Sequence, residues 1–410
     1  MQSQIYLDTA RFGQILPECA EMLREFASLL ESEGQFPLFN EFLHHGSAAW
    51  PQRLANRFPM LTQWQGLSKL KLSVLALCDT TAPASVLFAS ASRHLARVAF
   101  QMLSLRCERV LCSDADWPEF QSMLKKQLAQ SSASSYFVTL EDPCSPDSNE
   151  DSRLKRMLQA FRDHRCDGAL ITPVSAQGLT NRVVPFLTQV PNQANIVIDG
   201  SQQAGYLPIE LGPEFRGIFL AGTHKWLRSG VPLSFGVFVH DSDATQSHRN
   251  IRNAIQLSMV DDPMLLQTSE VGITSPRQTM RLEPLIAAHI SIQTALKHSI
   301  EEMLKIRRLN AHRICDILVN LPLGMSFNCR NGIIELRLES TKISAYEIQR
   351  YFAGEGITIS VCSDHTLRVS CPAKPLTEAE VDHLWRVFGK LADQYLAAHS
   401  LASEGDQSVA

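Results

Sequence analysis

The chain contains 410 residues, of which 38 are Lys or Arg and 42 are Asp or Glu, and its formal net charge is −4. Its longest cationic clusters are dipeptides such as Lys125-Lys126 and Arg307-Arg308, whereas proteins that bind nucleic acid through phosphate neutralisation carry a basic surplus or a clustered basic face. With 45% hydrophobic and 20% charged residues, the composition is that of a globular protein with a large core and room for a second, smaller domain. Nucleic acid is therefore a poor candidate partner, and disorder of the bulk is excluded.

The sequence also argues against membrane insertion and secretion. No apolar run approaches the roughly 20 residues that a membrane-spanning helix requires, and Met1–Gln4 lacks the basic and apolar regions of a signal peptide. The 10 cysteines form no C-x-x-C pair and no Cys/His spacing typical of zinc. We therefore expect a soluble cytoplasmic protein with no metal site and no membrane partner, whose cysteines are mostly buried thiols.

The first 45 residues predict an N-terminal arm followed by a helix. Ile5–Asp8 is a short stretch of strand character, and an amphipathic pattern extends from Leu16 to Leu30.

From about residue 70 to 240, short apolar runs alternate with segments of helical periodicity. The helical segments include His94–Leu105 and Glu119–Leu128, and each follows an apolar run. Strands separated by helices are typical of parallel sheets with both faces covered. This region therefore predicts an α/β fold with a twisted, mostly parallel sheet. Its strand candidates are Val86–Ala89, Arg109–Cys112, Tyr136–Leu140, Gly168–Thr172, Asn195–Asp199, Ile218–Ala221 and Phe235–Val239.

Beyond about residue 284 the pattern predicts a separate α+β domain. A long helical pattern covers Pro284–Ile317, and further helices are expected from Ser344 and from Thr377. The strand candidates are Gly332–Leu338, Ile357–Val361 and Thr366–Ser370. The chain is thus divided into an arm and helix at 1–45, a large domain at 46–275, a small C-terminal domain at 276–400 and a disordered tail at 401–410.

Polar residues with complementary chemistry follow two of the predicted strands. Asp199 closes one buried strand, and Thr223-His224-Lys225-Trp226 lies just past the next, where ligands of open α/β sheets bind. A lysine between His and Trp at the end of an apolar strand is poorly solvated, which favours the neutral, nucleophilic amine. Such an amine can form a Schiff base with pyridoxal 5′-phosphate, and a carboxylate can pair with the pyridine nitrogen of that cofactor. Alone, the Asp indicates a turn or cap and the Lys a surface charge, so the prediction depends on their combination.

Two strings around these residues resemble the signature of class V aminotransferases. They are Val197–Gly205 (VIDGSQQAG) and Ala221–Leu227 (AGTHKWL). This family is a branch of the fold-type I pyridoxal-phosphate enzymes and includes cysteine desulfurases, kynureninases and isopenicillin-N-epimerase-like proteins. Tyr6–Ala10 is similar to the opening strand of the family and Leu367–Ser370 to its C-terminal Arg-x-Ser, so that the resemblance spans about residues 5–395. It implies a fold-type I transferase fold, with a large mostly parallel-sheet domain that binds the cofactor and a small C-terminal α+β domain.

The resemblance also implies roles for individual residues. Lys225 matches the Schiff-base lysine, and Asp199 matches the residue that pairs with the pyridine nitrogen. Gln202 matches the His or Gln beside the phenolic oxygen of the cofactor. Thr223 and His224 match the phosphate-side residues before the lysine, for which a hydroxyl and an imidazole N–H are suitable donors.

Three further positions are carried over in the same way. Ser90–Arg93 lies where the family has its phosphate turn, although Ala91 and Ser92 replace the usual Gly-Thr pair. A helix N-terminus suits a phosphate because its N–H groups are unpaired and its dipole is positive. Trp117 occupies the position that stacks on the pyridine ring, with a core residue as the alternative. Arg368 matches the arginine that holds the substrate α-carboxylate, a task for a planar bidentate donor.

Other segments match the family less closely. The Ser-Asn-x-x-Gly element appears as Ser175-Ala176-Gln177-Gly178, so the asparagine is absent and Ser175 or Gln177 is expected to replace it beside the cofactor. Gly272, Thr274 and Ser275 resemble the segment that reaches the phosphate in the partner subunit, with Thr274 as the predicted contact. The resemblance therefore implies a homodimer with shared active sites. Gly217 replaces an acidic residue, and such departures suggest a specialised substrate.

The signature predicts an external aldimine with a small or modified amino acid but does not fix the reaction that follows. Transamination is the preferred prediction, with a Cβ or Cγ lyase, an epimerase and a decarboxylase as alternatives. A cysteine desulfurase would require Cys362 or Cys329 as a mobile nucleophile, yet Ser360–Thr366 is shorter than the usual cysteine loop and the Arg-Xaa-Gly-His-His-Cys motif is missing. A non-catalytic protein of the same fold is the remaining alternative, against which the joint presence of Lys225, Asp199 and Arg368 argues.

Overall fold

The computed structural model describes residues 4–34, 39–131, 133–140, 149–212, 215–240, 243–269, 280–321, 325–338 and 344–405. The chain divides into two compact units, which we call the small unit (Met1–Gln14 with Ser299–Ala410) and the large unit (Ile15–His298). The predicted boundary after residue 275 thus falls inside the large unit, and the N-terminal arm belongs to the small one.

The described residues form strands β1 to β13 and helices α1 to α14, numbered in chain order. The strands are β1 (Ile5–Tyr6), β2 (Ala84–Ala89), β3 (Arg109–Ser113), β4 (Ser134–Val138), β5 (Gly168–Ile171), β6 (Asn195–Asp199), β7 (Gly217–Gly222), β8 (Ser234–Val239), β9 (Met325–Arg330), β10 (Ile333–Leu338), β11 (Ile357–Thr358), β12 (Ser360–Ser363) and β13 (Thr366–Ser370). The helices are α1 (Pro17–Glu33), α2 (Phe39–His45), α3 (Gln52–Arg57), α4 (Leu67–Leu77), α5 (Ser92–Arg106), α6 (Pro118–Leu128), α7 (Glu150–Asp163), α8 (Val183–Leu187), α9 (Ala244–Leu257), α10 (Pro263–Thr268), α11 (Glu283–Lys297), α12 (Ile300–Val319), α13 (Ala345–Gly354) and α14 (Glu378–Gly405).

The large unit is built on a seven-stranded sheet in the order β2-β8-β7-β6-β5-β3-β4. Strands β4, β3, β5, β6 and β7 are parallel, and β8 runs antiparallel to both β7 and β2. Consequently β2 points the same way as β7, and the carboxyl ends of β2, β3, β5, β6 and β7 all lie at one edge of the sheet. The predicted mostly parallel α/β sheet is confirmed.

Both faces of this sheet are buried, which explains the continuous apolar runs in the sequence. Alternate residues of β2 show this clearly, because Val86 and Phe88 belong to one core cluster while Leu87 and Ala89 belong to another. Each strand therefore contributes to two cores at once. Truncating a side chain such as Phe88 to alanine would cost about 3–5 kcal/mol of stability.

The small unit contains two further sheets. Strands β12-β13-β10-β9 form an antiparallel sheet, and β1 pairs in parallel with β11. Helix α13 begins with a capping box in which Ser344 and Glu347 exchange hydrogen bonds with each other's backbone. A bridge between Asp8 and Ser370 adds the N-terminal arm to the end of β13.

Several elements differ from the sequence prediction. The helical pattern of 284–317 forms two helices, because the Ser299 side chain accepts a hydrogen bond from the Glu302 amide and starts α12 anew. Strand β9 was not predicted, and α14 runs to Gly405, past the predicted start of the tail. Within the described residues, no helix is long and apolar enough to cross a membrane.

Candidate active site

The predicted site residues of the large unit gather at the carboxyl edge of its sheet. Ala91 and Ser92 follow β2, Trp117 follows β3, and Ser175 follows β5. Asp199 ends β6, and Thr223-His224-Lys225 follows β7. Because these five strands end at the same edge, the topology brings together residues that are more than a hundred positions apart in the sequence.

The two segments that carry the signature lie on neighbouring strands. Asp199 is opposite Leu220 in the β6–β7 register, and the amide of Gly200 donates to the Leu220 carbonyl over 2.7 Å. A Cβ on Gly200 would lie 2.1 Å from Cζ of Phe219, so only glycine allows the backbone to turn this close to β7. Asp199 is 5% exposed. Its Oδ1 accepts from the Ser201 amide over 3.0 Å.

The turn after Asp199 is tied to the residue after Lys225. The indole Nε1 of Trp226 donates to Oε1 of Gln202 over 2.8 Å, and the Trp226 ring stacks on Tyr206 with 4.3 Å between centroids. Gly205 has a φ of +81°, and a Cβ there would lie 3.0 Å from the Leu227 amide. The two segments therefore form one packed structure. With its carbonyl oxygen engaged, Gln202 has its amide NH2 as the donating end.

His224 and Lys225 are both half-buried on the segment after β7. A Cβ on Gly222 would lie 3.0 Å from Cε1 of His224, so the glycine lets the imidazole pack against the strand end. Burial, together with the neighbouring Lys225 charge, lowers the pKa of His224 to about 4. At neutral pH the imidazole is therefore uncharged and places no second cation beside the lysine.

Thr223 makes its contacts inside the protein. It is fully buried, and its hydroxyl lies 2.9 Å from Ser229 Oγ and donates to the Leu233 carbonyl over 3.2 Å. Ser229 Oγ in turn donates to the Val231 carbonyl over 2.8 Å. A hydroxyl has a single proton to donate. Because the Thr223 hydroxyl donates its proton inside the protein, it stabilises the segment around Lys225. Its predicted contact with the phosphate stays a prediction.

The turn after β2 departs from the family pattern in a way that the geometry explains. Ala91 caps α5 with φ −144° and ψ 143°, an extended conformation that needs no glycine. The carboxylate of Asp262 sits at this turn, where Oδ2 accepts from the Ser90 amide and hydroxyl, each over 2.9 Å, and from His94 Nδ1 over 2.6 Å. Its Oδ1 caps α10 through the Met264 amide over 2.9 Å.

Asp262 adjoins the candidate site and is not predicted from the sequence. Burial acts to raise the pKa of its carboxyl, but the hydrogen bonds from His94 and Ser90 outweigh burial and leave the pKa below its usual value. The anion therefore holds Ser90, so a ligand at the start of α5 would be left with the amides of Ser92 and Arg93. Asp262 lies in a polar stretch far along the chain, and no local pattern links it to Ser90.

A second buried carboxyl, that of Asp116, immediately precedes Trp117. It accepts from the Ser113 amide over 2.7 Å and from the Thr172 hydroxyl over 2.7 Å, and Gln121 clamps the same corner by donating to the Ser113 and Asp116 carbonyls. Burial raises the pKa of Asp116 to about 7, and the Asp199 charge acts in the same direction. This corner fixes the backbone of Trp117, whose side chain is 50% exposed.

Ser175 makes its hydrogen bonds within its own turn. Its Oγ accepts from the amides of Gln177 and Leu179 over 3.2 Å and 3.1 Å. Nearby, Asn181 is 9% exposed and donates to the Thr172 carbonyl over 2.8 Å. In the described part of the chain, Oδ1 of Asn181 has no donor. The contact predicted for Ser175 stays a prediction, and that for Thr274, with Gly272 and Ser275, lies outside the described residues.

Arg368 belongs to the small unit, on β13. It is 6% exposed, its Nη2 donates to Ser360 Oγ over 3.3 Å, and the same nitrogen lies 3.8 Å from Asp8 Oδ1. Burial lowers the pKa of the guanidinium, and the nearby Cys362 and Asp8 oppose that effect. Glu335 faces Arg368 in the β10–β13 register. The guanidinium is thus held in a fixed place by groups of the arm and of two strands.

Comparisons with known proteins identify the fold. Neither the protein-family models nor the curated proteins gave a match. Among solved structures, the chain is similar to the cysteine desulfurase CsdA of Escherichia coli, with 14% identity, a TM-score of 0.69 and 95% of each chain covered. It is also similar to the cystine C–S lyase C-DES, with 11% identity, a TM-score of 0.66 and 96% and 98% coverage. The ureidoglycine–glyoxylate aminotransferase of Bacillus subtilis has 11% identity, a TM-score of 0.64 and 96% and 94% coverage.

These similarities cover nearly the whole chain. The sequence identities of 11–14% support a shared fold and nothing more specific. The chain therefore has the fold-type I α/β fold that the sequence resemblance predicts.

Proposed function

We propose that this chain is a pyridoxal-phosphate-dependent enzyme that acts on a small or modified amino acid, with aminotransferase-type chemistry. The observation that carries the proposal is the joint between the Asp199 turn and the Lys225 segment, formed by the hydrogen bond from Trp226 to Gln202. This joint holds a buried carboxylate and a half-buried amine at adjacent strand ends. Such a pair is what this cofactor needs at its ring nitrogen and at its aldehyde.

The residues present fit the ring end of the cofactor. Among the residues that the structure describes, Asp199 receives a hydrogen bond only at Oδ1, from Ser201. A protonated pyridine nitrogen would donate a charge-assisted hydrogen bond to the other oxygen, Oδ2, of this buried carboxylate. The amide NH2 of Gln202 would donate to the phenolic oxygen. Trp117, with its exposed ring, would cover a face of the pyridine.

At the phosphate end, the start of α5 supplies the donors. Ser92 and Arg93 are the first residues of that helix, and their amides have no partner within it. We propose that they bind the phosphate together with the Ser92 hydroxyl. Asp262 fixes Ser90, two residues before Ser92, and so holds the turn in shape. His224 is the further phosphate donor that the resemblance implies.

When bound, the cofactor supplies an aldehyde that bonds to amines and a ring that draws electrons from the substrate Cα. Lys225 would hold the cofactor in the resting enzyme and, once displaced by the substrate amine, would move the proton at Cα. His224 is uncharged at neutral pH and adds no second positive charge beside Lys225. Arg368 would bind the substrate carboxylate.

Absorbance spectroscopy tests the attachment of the cofactor. Purified chain mixed with pyridoxal 5′-phosphate should show the band of the lysine-bound cofactor, and Lys225→Ala should lose it. Lys126→Ala is the matched control, because Lys126 is an exposed lysine on α6. Folded wild-type protein without the band, or a band that persists in Lys225→Ala, would contradict the proposal and favour a non-catalytic protein of this fold.

Cysteine desulfuration is the second candidate, because Cys362 is exposed and interacts with Arg368. It lies at an irregularity in the β12–β13 pairing, between Val361 and Ser363. Although the residue is exposed, partial desolvation of its sulfur raises the pKa of the Cys362 thiol, and the thiolate is the nucleophile that desulfuration needs. The short β12–β13 hairpin also restricts the movement of this cysteine. Both observations favour transamination.

A panel of amino acids with pyruvate or 2-oxoglutarate distinguishes the reactions. A new amino acid in the products supports transamination. Ammonia or sulfide without a new amino acid would instead indicate a lyase or a desulfurase, and loss of sulfide release in Cys362→Ser would single out the desulfurase. Racemised substrate or carbon dioxide would identify an epimerase or a decarboxylase.

We further propose that the enzyme works in the cytoplasm as a homodimer that shares its active sites. The proposal is supported by the resemblance of Gly272–Ser275 to the segment that crosses to the partner subunit. Sedimentation of the chain with its cofactor should give twice the monomer mass. A monomer that binds the cofactor fully would contradict this assembly.

A further inference from the structure

Three cysteines converge in the small unit. Cys315 lies on α12, Cys329 on β9, and Cys371 directly follows β13. Side chains alternate along a strand, so Cys329 shares a face of β9 with Phe327. Phe327 and Cys315 pack against the same core cluster, to which Cys371 belongs. Ile334 of β10, which lies opposite Cys329 of β9, belongs to that cluster as well.

The thiols in this cluster interact with one another. The side chains of Cys315 and Cys329 are joined by a hydrogen bond, and Cys371 interacts electrostatically with both. No group of three or more His, Cys, Asp or Glu among the described residues is placed to hold a metal ion. The proximity of the thiols is therefore not that of a metal site.

Access to the three sulfurs is graded. Cys329 is exposed, Cys315 is half-buried and Cys371 is buried. A reagent from solution therefore reaches Cys329 first, with Cys315 directly behind it and Cys371 screened by the core. A reactive outer thiol backed by a protected inner one is the arrangement of dithiols that form an internal disulfide.

The charge state supports the same order of events. The hydrogen bond from the Cys315 thiol lowers the pKa of Cys329 to about 7, against the effect of burial, and His312 acts in the same direction. The same interaction and burial raise the pKa of Cys315. At neutral pH, a substantial fraction of Cys329 is thus thiolate, whereas Cys315 remains the thiol.

We propose that Cys315 and Cys329 form a redox-active dithiol site that takes low-molecular-weight disulfides as its substrate. The Cys329 thiolate attacks one sulfur of the small disulfide, forms a mixed disulfide and releases one small thiol. Cys315 then gives up its proton and attacks Sγ of Cys329, which breaks the mixed disulfide and releases the second small thiol. Two protein thiols are oxidised, one small disulfide is reduced to two thiols, and no other electron carrier is needed.

The product would link α12 to the edge strand β9. This bond would close a short loop of the chain and restrain the outer strand of the four-stranded sheet. A reducing thiol pool would reverse it, so that the small unit would exist in a free and a restrained form. The proposal concerns the small unit alone and does not depend on the cofactor.

Incubation of the full chain with oxidised glutathione tests the site. After acid quenching, alkylation and digestion without reduction, mass spectrometry should find the peptides of Cys315 and Cys329 linked, with two reduced glutathiones released per chain. Cys315→Ser should instead retain glutathione on Cys329, because the resolving thiol is gone. Cys329→Ser should form neither product. Cys362→Ser is the matched control, an exposed cysteine of the same unit, and should give the wild-type yield of the linked peptides.

Other outcomes would overturn the proposal. A stable glutathione adduct on Cys329 of the wild type, a link between Cys329 and Cys371, or the absence of any reaction would each do so. The wild type alone provides a further measurement, which does not depend on folding of the serine variants. Its Cys329 should be alkylated by iodoacetamide with a half-maximal rate near pH 7, well below the pH required for Cys362. Equal pH profiles for the two cysteines would contradict the proposed dithiol.

Discussion

The turns after β6 and β2 lie at the same edge of the large sheet but are stabilised in different ways. The turn after β6 keeps the family-like residues and is held by close packing, with Gly200 against Phe219 and Gln202 against Trp226. The turn after β2 has Ala91 and Ser92 in place of the Gly-Thr pair of the resembling family and is held by the buried anion of Asp262. The comparison indicates that the first turn is held by packing between neighbouring segments, whereas the second depends on direct hydrogen bonds to a carboxylate that is distant in the sequence.

The largest effect on activity is expected from Asp199→Asn, which tests the proposed contact with the pyridine ring of the cofactor. Asp199→Asn replaces the buried carboxylate with an amide that cannot hold a proton on the pyridine nitrogen. We expect kcat/KM toward the amino-acid substrate to fall by about 10²–10³-fold, the usual loss when one placed electrostatic group is removed. Steady-state kinetics measures this, with the exposed Asp382→Asn as control. A loss of less than about tenfold would remove Asp199 from the proposed role.

The pH dependence of stability tests the burial of His224. Its pKa falls from about 6.5 in an unfolded chain to about 4 in the folded one. The unfolded chain therefore binds more protons in that window, and stability should decrease as the pH is lowered from about 6.5 to 4. Urea unfolding of His224→Gln should show a shallower decrease. His289, whose pKa is also lowered to about 4 by burial, contributes equally in both proteins and cancels in the difference.

Asp262→Asn tests the phosphate end. Hydrogen bonds to a charged group contribute about 1.5–3 kcal/mol, so the variant should lose about that much free energy of unfolding at pH 7. Because the folded pKa of Asp262 is lowered, its contribution should be present above about pH 4 and disappear as the pH falls below it. The exposed Asp261→Asn is the matched control.

The same variant separates structure from cofactor binding. If Asp262 shapes the phosphate turn, titration with pyridoxal 5′-phosphate should show weaker binding by Asp262→Asn, with the position of the absorbance band unchanged. Unchanged affinity together with lowered stability would assign Asp262 to the fold alone. In that case binding of the cofactor phosphate would not depend on the Asp262 carboxylate.

The smallest effect is expected at the joint between the turn after Asp199 and the segment around Lys225. Trp226→Phe keeps the stack on Tyr206 but removes the donor to Gln202. Loss of one buried hydrogen bond should lower the free energy of unfolding by about 1 kcal/mol. The cavity left by the smaller ring adds to that loss, and chemical denaturation can resolve the total. Trp385→Phe, at an exposed position on α14, should leave stability unchanged. Equal stabilities of the two variants would show that the joint is not held by this bond.

Much of the fold was predictable because the strands of the large sheet are buried on both faces. Strand β6 occupies the predicted range Asn195–Asp199, and β13 the predicted Thr366–Ser370. Strand β9 was missed because Met325–Arg330 lies at a sheet edge, where polar residues such as Asn328 interrupt the apolar pattern. The break between α11 and α12 was missed because only the cap at Ser299 marks it.

The site was predictable where its chemistry is local in sequence. The Asp199 and Lys225 segments carry their own signature, so the sequence could place them at strand ends. Asp262 could not be assigned, since its contact with Ser90 spans 172 positions and arises only from packing. The corner formed by Ser113, Asp116 and Gln121 could not be assigned for the same reason. Its buried carboxyl is held by Thr172, which follows another strand.

The pairing of β1 with β11 bears on how the protein is made. Ile5 lies opposite Ile357, and Asp8 forms its bridge with Ser370. On a ribosome that adds about 5–20 residues per second, the N-terminal arm would wait roughly 20–70 s for its partner strand. The large unit is contiguous and can fold during that wait. The arm lacks its partner strand during that time, so a tag or fusion at the N-terminus could interfere with folding while the chain is still being synthesised.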